Sequence, residues 1–206
     1  MIRVLPKPVT FEEFLDWKPD NGNYELRNGV IVTMQPTGDH EEIVGFLAIE
    51  LTLEFRRLEL PYFIPKQALV KPPSKETGYL PDVLVLDLSA LGEEPFWQKR
   101  STVQQGSSIP IVIEVVSTNW RDDYLTNTQD YEEMGIPEYW IVDYLGLGGK
   151  RFIGDPKQPT LSIYSLIDGE YQVSQFRDEV PIHSPTFPEL NLTASEVFAA
   201  QRFLGC

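Results

Sequence analysis

The chain has 206 residues, with 17 Lys and Arg against 31 Asp and Glu, a formal net charge of −14. Its apolar fraction of 42% and aromatic fraction of 12% are ample for a packed core, which excludes a disordered tail. The acidity argues against broad, non-specific phosphate binding, which needs basic surface, but leaves room for a local basic groove or a metal site.

The one cysteine, Cys206, excludes an intrachain disulfide and a Cys-built zinc centre. The opening MIRVLPKPVTFEEF lacks a long apolar core, and no apolar run is long enough to span a bilayer, so a reducing cytoplasm fits best and no membrane partner is expected. NLT at 191–193 matches a glycosylation acceptor but reads as loop chemistry.

TFEEFLDW reads as a short helix capped by Thr10. NYELR and VIVTM follow as a hairpin turning at Asn28-Gly29. A long helix starts near Asp39, with Ile43, Phe46, Leu47 and Leu51 as its apolar stripe. YFIPKQALV is a strand candidate with an internal proline, and KPPSKETGYLP is a loop leading into DVLVLDL. Residues from about 90 to 108 read as a longer loop. PIVIEVV is the most apolar strand, DDYLTNTQDYEEM a helix ended by Gly135, and EYWIVDY the next strand. The strands flanking that helix can run parallel and the earlier ones can form a meander. A second hairpin turns at Asp168-Gly169, and a short helix lies near ASEVFAAQRF.

Two acids carry the chemistry of this pattern. Asp82 stands at the mouth of one apolar strand and Glu114 inside another. An isolated buried carboxylate is too costly to leave alone; it must be paired, protonated or bound to metal. Two acids at neighbouring strand positions make an oxygen cage for a hard cation such as Mg²⁺. A turn acid at Asp82, with one acid buried against an arginine, fits the same residues, and the pattern leaves both open.

YLPDVLVLD, IPIVIEVVS and DYEEMGIPEYWIVD together resemble the Uma-type family of restriction-endonuclease-like proteins, and the likeness runs from YELRNGVIVTM and PTGDHEEIVGFL to SPTFPEL. That resemblance implies an α/β fold: a PD-(D/E)xK core, about 39–144, with a mixed central sheet flanked by helices and extended by N- and C-terminal hairpins. One domain over 1–206 is expected. It further implies a Mg²⁺- or Mn²⁺-dependent endonuclease acting on DNA, with Asp82 and Glu114 as metal ligands. A homodimer is expected, because cutting a duplex takes two cuts.

The general motif places a lysine two residues after the second acid, where this chain has Val116. The family usually carries it on the following helix, at the position of Asn127. Tyr124, Asn127, Tyr131 and Met134 fall on one helical face, so residue 127 points inward. Asparagine supplies a hydrogen bond without the charge. Lys66 is a stand-in candidate whose ordinary reading is solvated surface, and Gln67 is a weaker polar candidate.

Glu25 and His40 read on physics alone as an exposed hairpin acid and a structural helix-start residue; the resemblance puts both at the pocket. Glu50, on the inner stripe of the long helix, reads as partly exposed rather than as a third site acid. His40 and His183 are too far apart in sequence for a histidine-built metal site. Ser117 lacks a nucleophile-elbow setting and reads as a turn cap. Trp120 and Arg121 could touch a nucleic-acid backbone, while Tyr139 and Trp140 read as core. The rival to the enzyme is a catalytically silent member of the fold that binds nucleic acid or protein.

Overall fold

A computed structural model describes residues 7–19 and 21–200, so Cys206 lies outside the described residues. Helix α1 (Phe11–Trp17) carries a reciprocal cap: the Glu13 N–H donates to the Thr10 hydroxyl, and the Glu13 carboxylate accepts from the Thr10 N–H. Strands β1 (Asn23–Arg27) and β2 (Val30–Met34) pair antiparallel. Their turn uses Asn28 and Gly29 at φ 49° and 78°, the left-handed pair a two-residue hairpin requires. Helix α2 (Gly38–Arg57) is capped by Thr37 and buries Ile43, Leu47, Leu51 and Phe55.

The YFIPKQALV stretch does not form the single strand expected. Tyr62–Phe63 (β3) and Leu69–Val70 (β4) belong to different sheets. Pro65 has no N–H for a ladder and restricts the residue before it, so pairing stops there. Strand β5 (Val83–Asp87) follows. The expected loop at 90–108 contains helix α3 (Trp97–Arg100) and strand β6 (Thr102–Val103), which pairs parallel with β4.

Strand β7 (Ile111–Val115) leads into a wide π-helical turn, Asp122–Asn127, that continues as α4 (Thr128–Glu133). Strand β8 (Glu138–Asp143), helix α5 (Lys150–Ile153), the hairpin β9 (Thr160–Ile167) and β10 (Glu170–Phe176), and helix α6 (Ala194–Ala199) complete the chain. Thr193 of the NLT triplet caps α6, which gives that hydroxyl a structural use.

The main sheet has six strands in the order β10-β9-β8-β7-β5-β3. Only β7 and β8 run parallel within it, joined by the α4 crossover; the other neighbours are antiparallel. This is the mixed, helix-flanked sheet of a restriction-endonuclease-like fold. The C-terminal hairpin extends the sheet itself, whereas the N-terminal hairpin is a separate ribbon.

One sheet face packs on α2 and α6 through Val83, Ile113, Val115, Leu47 and Val197. The other packs Leu84, Val112 and Ile141 against Tyr131 and Tyr139. Phe11, Phe14, Leu26, Leu69 and Leu80 form a third cluster that fixes the N-terminal hairpin to the loop before β5. Leu26 and Gly78 exchange backbone hydrogen bonds there. A Cβ on Gly78 would lie 2.5 Å from the Phe11 ring, so this close approach needs glycine. Among the described residues no helix is long and apolar enough to cross a membrane.

Candidate active site

Strand register brings the two acids together. In the antiparallel β5–β7 pair Val83 opposes Ile113 and Leu84 opposes Val112. Continuing by one place sets Asp82 opposite Glu114, and opposed residues share a face. Like charges there repel, so something must hold them.

Asp82 is held on one oxygen. Its Oδ2 accepts from the Val115 N–H at 2.7 Å and lies 3.2 Å from His40 Nε2. That nitrogen is also 3.1 Å from the Val115 carbonyl, which can only accept, so Nε2 carries a proton. His40 Nδ1 is buried without a partner. Burial alone would lower the His40 pKa, but the hydrogen bond and charge of Asp82 outweigh it and raise it.

Glu114 is buried on β7, and it too is held on one oxygen. Its Oε1 accepts from the Tyr131 hydroxyl at 2.9 Å and from Asn127 Nδ2 at 3.3 Å. Among the described residues no cation pairs with it directly. Arg27 Nη1 donates to Asn127 Oδ1 at 3.4 Å, and because arginine only donates, this fixes which end of the amide faces Glu114. Asn127 therefore stands between a guanidinium and a carboxylate.

Arg27 and Glu25 share a face of β1 by strand alternation. Arg27 Nε donates to Glu25 Oε2 at 2.7 Å, and Nη1 lies 3.3 Å from Asp122 Oδ2. Glu25 Oε1 accepts from the Leu80 N–H at 2.8 Å, tying the hairpin to the residue two before Asp82. The acid buried against an arginine is thus Glu25, not Glu114. Glu25 is 1% exposed, against its reading as an exposed hairpin acid, because its face of β1 turns into the cleft, where Arg27 and the Leu80 backbone close over it.

Glu25, Arg27, His40, Asp82, Glu114 and Asp123 line one cleft of about 810 Å³. Burial, followed by the charges of Asp82, Asp123 and Glu25, pushes the Glu114 carboxyl well above the usual carboxylate range. Burial and the charge of Asp82 push Asp123 up to about 8. The cleft is short of positive charge.

The other candidates fall at its margin or outside it. Lys66 is exposed at the rim, and Gln67 donates to Asn23 Oδ1 at 2.8 Å. Ser117 is exposed at the rim and, among the described residues, makes no capping bond. Glu50 is half-buried and does not line the cleft. Tyr139 and Trp140 are fully buried.

Arg27, Asp122, Asp123 and the hydroxyl of Tyr131 were not singled out from sequence. The period of two in YELR puts Arg27 on the face of Glu25, and Asp123 precedes Asn127 by one helical turn, so both carried a signal. The reach of Tyr131 to Glu114 depends on how α4 packs across β7.

The site suits a hard cation. Among the described residues, none donates a hydrogen bond to Glu114 Oε2 or Asp82 Oδ1. Among the described residues no three His, Cys, Asp or Glu side chains form a ligand cluster. Mg²⁺ typically uses one or two carboxylates and fills its remaining positions with water and phosphate oxygens, so the two oxygens and the open cleft fit it.

The chain belongs to the Uma2 family, described as "Putative restriction endonuclease", whose model matches residues 11–195. Among solved structures it is similar to a "putative nuclease belonging to DUF820" from Anabaena variabilis. That similarity has a TM-score of 0.72 at 17% identity and covers 94% of this chain and 99% of the other, which shows the shared fold. No curated protein matches the chain.

Proposed function

We propose that the protein is a divalent-metal-dependent endonuclease that hydrolyses DNA phosphodiesters, with Asp82 and Glu114 as metal ligands. The observation that carries this reading is the pair of register-matched carboxylates, each held on one oxygen and each offering the other to a shared, negatively charged cleft. A Mg²⁺ or Mn²⁺ ion bound there supplies Lewis-acid polarisation of a phosphoryl oxygen and a water of lowered pKa.

The protein's own groups do the rest. The Val115 N–H and His40 fix the rotamer of Asp82, and Tyr131 and Asn127 fix that of Glu114. Arg27 provides a permanent positive charge one hydrogen bond beyond Asn127 and stands in for the charge of the missing lysine. Preorganised charge of this kind stabilises the charge that develops on the reacting phosphate. Glu25 and Asp122 hold the guanidinium in place.

Nicking of supercoiled plasmid in Mn²⁺ tests the reading. Wild type is expected to nick, and Asp82→Ala to lose that activity. Purified protein that binds duplex but never nicks, with or without Asp82, would favour a silent binding module, since Asn127 is neutral and engaged by Glu114.

A further inference from the structure

The cations of this acidic chain are unevenly used. Arg27, Arg57, Lys75 and Arg100 are engaged by carboxylates. Among the described residues, Arg121, Arg151 and Lys157 have no carboxylate within ion-pair distance. These three surround one pair of aromatic rings.

The Arg121 guanidinium sits 4.5 Å from the centre of the Trp120 ring, and Lys157 Nζ lies 5.9 Å from the same ring. Arg151 covers Phe152 at 4.4 Å. The rings meet edge to face at 6.2 Å, and Tyr124 stacks on Phe152 at 4.7 Å. Trp120 also rests on the backbone at Gly149, where an added Cβ would lie 3.0 Å from the ring. The patch is therefore fixed in place, with half-buried rings and exposed cations.

It adjoins the cleft. Asn119, next to Trp120, and Leu147 both line the cleft, and Lys157 Nζ donates to the Leu147 carbonyl at 2.9 Å.

We infer that this surface is a backbone-binding shoulder for the nucleic-acid strand that enters the cleft. The inference rests on the nuclease reading and adds where the substrate is gripped. A guanidinium lying on an aromatic face keeps its N–H edge free for a phosphate. With a net charge of −14, most of the surface repels a polyanion, so three unneutralised cations beside the cleft direct its approach. Continuity with the cleft favours a nucleic-acid strand over an acidic protein partner.

The test is binding of a short fluorescein-labelled duplex, with Ca²⁺ replacing Mg²⁺ to prevent turnover, across a salt series. Arg121→Ala/Arg151→Ala/Lys157→Ala is expected to bind roughly tenfold or more weakly at low salt. Its slope of log affinity against log salt should be shallower by about one for each lost phosphate contact. Arg56→Ala, which removes an exposed cation near the far end of α2, is expected to change neither. If the triple variant melts early, Arg151→Gln alone should still flatten the slope.

Wild type that binds and nicks, with the triple variant matching its affinity and slope, would overturn the shoulder and leave the nuclease reading intact. Wild type that neither binds nor nicks would remove both. Equal binding of polyglutamate and duplex at matched salt would assign the patch to acidic partners and overturn the inference.

Discussion

Two neighbouring strands each bury a glutamate, and the two are held in opposite ways. Glu138 on β8 is satisfied on both oxygens: Oε1 accepts from the Trp140 indole at 2.5 Å, while Oε2 accepts from the Ser184 hydroxyl at 3.0 Å and the Thr186 N–H at 2.8 Å. Glu114 on β7 is held on one oxygen and shares its cleft with Asp82, Asp123 and Glu25. Burial raises the pKa of both. What separates a structural acid from a candidate ligand is therefore how completely its oxygens are used and whether other acids face it.

The largest effect expected from this contrast is on stability. Glu138→Ala would strand two buried donors and one part-buried donor and should cost about 3 kcal/mol or more in urea unfolding, at about 1–3 kcal/mol for each. Glu114→Gln keeps a partner for Tyr131 and removes a repelled charge. It should therefore leave apo stability within about 1 kcal/mol of wild type or raise it. A comparable loss in both variants would erase the distinction.

A second test uses catalysis. Arg27→Ala should slow Mn²⁺-dependent nicking by about 10²–10³-fold, the usual cost of one preorganised stabiliser. Asn127→Lys should recover part of that loss in the Arg27→Ala background, and much less in wild type, where the ammonium would face the guanidinium. A large gain from Asn127→Lys alone would mean that Arg27 does not serve as the charge.

The pH response follows from the raised carboxyls. Their folded-state pKa values exceed the unfolded ones, so the folded state holds these protons more tightly. Their contribution to stability is greatest below the unfolded carboxyl range, near 4, and falls as pH rises towards about 8, the value reached by Asp123. Glu138 contributes with the same sign. Because a cation competes with protons only in the cleft, Mg²⁺ should raise the melting temperature more at pH 8 than at pH 6. A shift independent of pH would place the ion away from Glu114 and Asp123.

A smaller loss is expected of Ser184→Ala, which removes one of three donors to Glu138 and the acceptor of the buried Phe187 N–H and should cost about 1–3 kcal/mol with nicking unchanged.

Much of this arrangement was legible in the sequence. Helix stripes, hairpin turns and the two strand acids are local patterns, and the inward face of Asn127 follows from helical spacing. The break at Pro65 between two sheets was missed because pairing partners are not written in a single strand. Glu25 read as exposed because what closes over it, the segment at Leu80 and the cleft walls beyond, comes from distant parts of the chain. The completeness of the bonds on Glu138 also lay beyond reach, since Ser184 and Thr186 come from a loop whose path the sequence does not specify.

The central claim is that Asp82 and Glu114 hold a divalent cation, and thermal unfolding with and without Mn²⁺ tests it most directly. At about 100 times Kd, binding to the folded state alone adds about 2.7 kcal/mol, or roughly 5–10 °C for a chain of this size. Wild type and Ser184→Ala should both shift by that amount, and Asp82→Ala and Glu114→Gln should not. An equal shift in wild type and Asp82→Ala, or no shift in wild type, would contradict the account.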